Sequence, residues 1–314
     1  MRISNVTIIG GVRARTDFLP EALTWGSVTS GFGSTAIQSV ATDGDGVWVA
    51  VGSSGTMTRS TDNGQSWSSV TSGFGSTNII SVATDENGVW IAVGSSGTMT
   101  RSADNGQTWS TVTSGFGSTS ITSVSTDGDG VWVAGGLSGT MTRSTNNGVS
   151  WSSVSSAFGS NFIQSVGTDR NGVWLAGGQN GRLTRSTNNG ASWSTVSSGF
   201  GTTRIRSLAT DRNGVWVAVG DSGTMRRSTD NGQTWSTVTS GFGSTSITSV
   251  ATNGDGVWVA VGLSGTMTRS DDNGITWSTV TSGFGTTQIN ALDNFGGTWV
   301  AVGQSGTMTR SVPS

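Results

Sequence analysis

Fourteen tryptophans divide the chain into two interleaved series with one step. The first runs from Trp25 to Trp277 in steps of 42 residues; the second runs from Trp48 in the same step until one residue is lost before its last member, Trp299. Together they account for every tryptophan. A period of 42 fits four-stranded propeller blades of about 40 to 50 residues and is too long for leucine-rich, ankyrin or tetratricopeptide repeats. No helical periodicity runs through the block.

One block resolves into four strand signals. Ile37 to Asp43 reads as an inner strand A, and the apolar run Val47 to Val51 as strand B, buried on both faces as sandwiching between blades requires. Ala50 and Gly52 leave room beside the Trp48 indole. Gly55 to Ser60 reads as strand C, with Met57 an adaptable filler, and Trp67 to Thr71 as strand D. The ends then meet: the chain finishes after a seventh strand C, while Trp25 to Thr29 supplies a strand D before any strand A. An N-terminal strand thus closes the last blade and protects its edge. The expected fold is all-β, a seven-bladed propeller of four-stranded antiparallel blades over residues 24–314. Residues 1–23 stand outside the repeat and are expected to form an arm, disordered or used for attachment.

Between strands C and D lies "STDNGQSW", Ser60 to Trp67, repeated at Ser102, Ser144, Ser186, Ser228 and Ser270. Its Asx-Asn-Gly core is turn chemistry, since Asx bonds its own following backbone and Gly takes a positive φ freely. These copies resemble the Asp-box of the bacterial neuraminidase repeat, S-x-D-x-G-x-x-W. The resemblance implies a structural corner built on Asp62, Trp67, Asp104, Trp109, Trp151, Trp193, Asp230, Trp235, Asp272 and Trp277. It is a device of sialidases and of many non-enzymatic propellers alike.

Composition narrows the chemistry. The chain has no Lys, His, Cys or Tyr and a formal charge of −2. Thiolate nucleophiles, cysteine zinc sites and the usual neutral-pH base are therefore missing, and the charge gives no reason to expect nucleic acid as partner. A sialidase-like enzyme would need a tyrosine nucleophile and six blades. A generic glycosidase needs two unlike carboxyls about 5 to 9.5 Å apart, yet the only glutamates are Glu21 and Glu86, and nearly all aspartates are repeated turn residues. No catalytic residue, cofactor or metal is expected. The "DGDG" turns at Asp43 and Asp127 offer too few carboxylates for calcium and read as hairpin turns. No signal peptide or membrane span is recognisable. The arginine repeated at the end of strand C, from Arg59 to Arg310, is expected to pair with an Asp or stack on a Trp within its own blade.

Function is sought where the copies disagree. Positions aligned with Ala36, Gln38 and Ser53 vary from blade to blade, and all fall on the face opposite the Asp-boxes, termed the top. Blades four and five depart furthest: Arg204, Arg206 and Arg182, with Phe162, Gln179, Asn180 and Asp221, form an expected ligand or partner patch. Arginine suits planar contacts to carboxylate or phosphate. Three non-enzymatic readings follow. The favoured one is a bacteriophage particle component (tail, fibre or head decoration), located in the virion, joined to other virion proteins by the arm and displaying the top face to a host-surface glycan or protein. The others are a lectin-like carbohydrate-binding propeller, and a protein-binding assembly factor similar to that of photosystem II, whose arginine-rich patch the blade four to five cluster resembles.

Overall fold

The computed structural model describes residues 23–313. Seven four-stranded antiparallel sheets are arranged as blades around a central channel lined by the A strands. In the first blade these are strand A, Ile37–Thr42, strand B, Trp48–Gly52, strand C, Met57–Ser60, and strand D, Ser68–Ser69. The ring closes as expected: Leu23–Ser27 pairs with Met308–Pro313, with Trp25 opposite Ser311. Leu23 therefore belongs to the propeller and not to the arm. The rest of the proposed arm lies outside the described residues.

Strand B is buried throughout, and its two faces serve different cores. Trp48 and Ala50 pack with Val300, Val302 and Met308 of blade seven, whereas Val49 and Val51 pack with Trp90 and Ala92 of blade two. Each blade thus contributes one side to two successive cores. Burying such side chains is worth about 1.5 to 3 kcal/mol apiece, and only the neighbouring blade supplies that burial. The continuous apolar run and the closed ring are one requirement seen at two scales.

Several local boundaries differ from the sequence reading. Strand C starts only at Met57 because Ser53–Gly55 makes a 3-10 turn with Ser54 at φ 55°. Val47 precedes strand B because its amide is held in the turn by the Asp43 carboxylate. Strand D is two residues long, since Trp67 belongs to the corner, where its Nε1 donates to the Gly64 carbonyl at 3.1 Å. Gly52 does not make room for an indole. A Cβ there would stand 2.1 Å from the Ala36 carbonyl oxygen, so glycine lets the B–C and D–A loops touch at the top.

Candidate functional site

The bottom face is made of corners that interlock. In the Asp-box, Asp62 Oδ1 accepts bonds from the Ser60 hydroxyl and the amides of Gln65 and Ser66, while Oδ2 accepts from the Ser66 hydroxyl. The Ser66 bonds hold its carboxyl down at about 2. The Thr108 bonds do the same for Asp104. At Asp230 burial pushes upward, but the Thr234 bonds outweigh it and the value is again about 2. Burial is likewise outweighed by Thr276 at Asp272. Blades three and four carry Asn146 and Asn188 in this role and keep the same corner through amide bonds to Ser150 and Ser192.

The next residue, Asn in all six boxes, joins the blades. Asn105 Oδ1 accepts from the buried Trp90 Nε1 at 2.7 Å, and its Nδ2 donates to Asp43 Oδ2 of the preceding blade at 2.8 Å. Its carbonyl accepts from Arg59 Nε, also of the preceding blade, at 2.8 Å. The repeated arginine therefore reaches across to the next corner and neither stacks on a Trp nor pairs within its own blade. Arg269 is the exception, with Asp271 at 2.7 Å. Asp43 Oδ1 meanwhile accepts the amides of Asp45 and Val47, both at 2.9 Å, which makes the "DGDG" segment the hairpin turn expected. The Asp-box pattern carries no Asn at this position, so the linking residue went unassigned; its identity in every copy, beside an Asx that varies, was the available signal.

On the top face the structure brings together five of the seven patch residues. Arg204 Nε and Arg206 Nε both donate to the Asp221 carboxylate, Arg204 at 3.2 Å. The Arg204 guanidinium lies over the Phe162 ring, 5.9 Å from its centroid, and the Phe162 amide donates to Gln179 Oε1 at 3.4 Å. Burial pushes the Asp221 carboxyl up, but the Arg206 bond and charge, helped by Arg204, bring it below its ordinary value. Arg182 and Asn180 are turned instead to the D–A loop ahead of Ile163: Arg182 Nε donates to the Ala157 carbonyl at 3.0 Å and Asn180 Nδ2 to Asn161 Oδ1 at 2.9 Å. Two guanidinium charges face one carboxylate, leaving a surplus positive charge beside an aromatic edge.

A second asymmetric cluster lies at the lower mouth of the channel, a space of about 650 Å³. Arg170, in the turn of blade four, forms a two-point ion pair with Glu86 of blade two, and Arg212 of blade five stands 3.7 Å from the same carboxylate. Burial raises the Glu86 carboxyl, and the bond and charge of Arg170 overcome it, so the net displacement is downward. Asp293, where other blades have Ala, Ser or Gly, accepts the amides of Asn294 and Thr42; burial pushes it up to about 7. Among the described residues no group of three or more His, Cys, Asp or Glu is placed to hold a metal.

The family model described as BNR/Asp-box repeat matches residues 226–237 and 268–279. Among curated proteins none matches the chain by sequence. Solved structures share the fold at low identity. One described as YCF48 bound to D1 peptide is 17% identical, with a TM-score of 0.77, covering 94% of this chain and 100% of its own. A streptogramin B lyase is 10% identical, with a TM-score of 0.81, over 93% of this chain and 98% of its own. A GH74 xyloglucanase from Xanthomonas campestris is 18% identical, with a TM-score of 0.74, over 92% of this chain and 53% of its own. The architecture thus hosts enzymes and other proteins alike, and likeness at this level carries the fold alone.

Proposed function

We propose that this propeller, with its Asp-box corners, is a non-enzymatic binding and display module whose recognition face is the top. The observation that carries the reading is the blade four to five patch. On the top of the ring, Arg204 and Arg206 share the single carboxylate of Asp221 beside Phe162. Guanidinium groups retain donors after one carboxylate is bound, and suit a further carboxylate or phosphate. The partner chemistry is an anionic segment that can also cover the Phe162 edge. The turn-opening aspartates, such as Asp43 and Asp127, and the box aspartates Asp62, Asp104, Asp230 and Asp272 support the non-enzymatic reading, since they are engaged in holding their own backbone.

Serine, threonine and glycine richness, nearly identical blades and a varied top face favour a bacteriophage particle component as the setting, with the recognition face turned to a host-surface glycan or protein. A protein-binding assembly role is the second reading, favoured by the fold shared with a YCF48 described in complex with D1 peptide. Screening the purified protein against a glycan array and an array of acidic peptides separates these. Arg204→Ala with Arg206→Ala is expected to abolish the selected interaction with melting unchanged; retained binding by the double variant would remove the patch from the reading.

A further inference from the structure

The lower channel mouth breaks the repeat at one turn position. Aligned with Gly44 are Glu86, Gly128, Arg170, Arg212 and Gly254, and every one of them has positive φ. Glycine is the residue this conformation favours, so Glu86, Arg170 and Arg212, at φ 64°, 62° and 63°, stand against the local preference. All three converge on one ion-pair cluster. The Arg170 side chain passes over the turn of blade three to reach Glu86: its Nη1 lies 3.5 Å from where a Cβ on Gly128 would be. In contrast to the repeated bottom-face fasteners, which join neighbouring blades, this contact links blades two and four. On the opposite rim the Phe295 ring covers Gly44, with Cε2 2.6 Å from a Cβ placed there. Among the described residues, a Cβ placed on Gly254 or Gly296 would meet nothing within 4 Å.

We propose that the Glu86–Arg170–Arg212 cluster is a strap that closes the blade two to five side of the lower mouth, so that its release widens access to the channel. Strained residues that survive where glycine is available point to a constraint beyond local stability. A strap of charge-assisted bonds supplies one, because it can be released as a unit without disturbing the neighbour-to-neighbour fasteners.

Ser125 lines the channel, and the chain has no cysteine. Ser125→Cys therefore gives a single reporter whose reaction with a bulky neutral maleimide measures access. Adding Glu86→Gln is expected to speed labelling roughly tenfold, the scale of one charge-assisted contact. Arg170→Met with Arg212→Met is expected to do the same, and raised salt to accelerate the reporter protein but not the strap variants. Circular dichroism and melting confirm that each variant is folded. Labelling at the same rate in reporter and both folded strap variants would overturn the proposal. If the glutamine variant does not fold, the arginine pair decides it.

Discussion

The two faces of the ring are built from the same 42-residue block yet follow opposite rules. On the bottom, Asn63, Asn105, Asn147, Asn189, Asn231 and Asn273 each receive a Trp Nε1 and link to the preceding blade. A change in one copy would leave buried donors and charges unpartnered, so the copies cannot drift independently. On the top, the loops are closed by backbone bonds such as Ser53 N to the Ala36 carbonyl. A repeated serine adds one side-chain bond, Ser72 Oγ to the Gly55 carbonyl at 2.7 Å, but the backbone bonds ask nothing of the side chains at the positions aligned with Ala36 and Ser53. Those top positions are therefore free to vary, and blades four and five have used that freedom most.

The sharpest way to break this contrast is at the linking asparagine. Asn105→Ala strips the acceptor from Trp90 Nε1 and the donor from Asp43 Oδ2. Leaving two buried polar groups unmet costs about 3 kcal/mol, to be measured by denaturant unfolding; a loss under about 1 kcal/mol would mean that the bottom is not the fastening face. Arg204→Ala with Arg206→Ala gives the complementary result: binding abolished, with unfolding within about 0.5 kcal/mol of the parent.

Acid sharpens the comparison within the bottom face. Asp62, Asp104 and Asp230 have folded values near 2, below the ordinary 3.8. Groups depressed on folding contribute stability above their unfolded value and lose it as pH falls through the folded one. Melting temperature should therefore fall between about pH 4 and pH 2. Replacing Asp62, Asp104 and Asp230 together by Asn, as Asn146 and Asn188 already stand in blades three and four, should flatten that slope; an unaltered slope would assign it to other carboxylates. The smallest effect is expected at Asp221→Asn, which removes the charge but not the shape that Arg204 and Arg206 hold. Binding of an anionic partner should tighten a few-fold at low salt and converge with the parent at high salt, as titration calorimetry at two ionic strengths would show.

Much of the fold was legible in the sequence because a repeat multiplies weak local signals. The Trp series set the blade, the run at Val47 to Val51 set the doubly buried strand, and Trp25 ahead of Ile37 set the closure. The segment edges were less legible. Trp67 looks like the start of a strand, yet its indole is tied back to Gly64. Arg59 looks like a partner for its own blade, yet its acceptor lies 46 residues on.

By itself the sequence determined the all-β class, the number of blades, the corner chemistry and the asymmetry of blades four and five, because each is written in residue type and spacing. Only the tertiary structure decided which groups meet across blades. Arg170 and Arg212 belong to the same sector as Arg204 and Arg206 along the chain, but the antiparallel strands carry them to the opposite face, onto Glu86 of blade two. Linear order gives the blade. The curvature of the ring, which brings turns 84 residues apart into contact over Gly128, gives the neighbour.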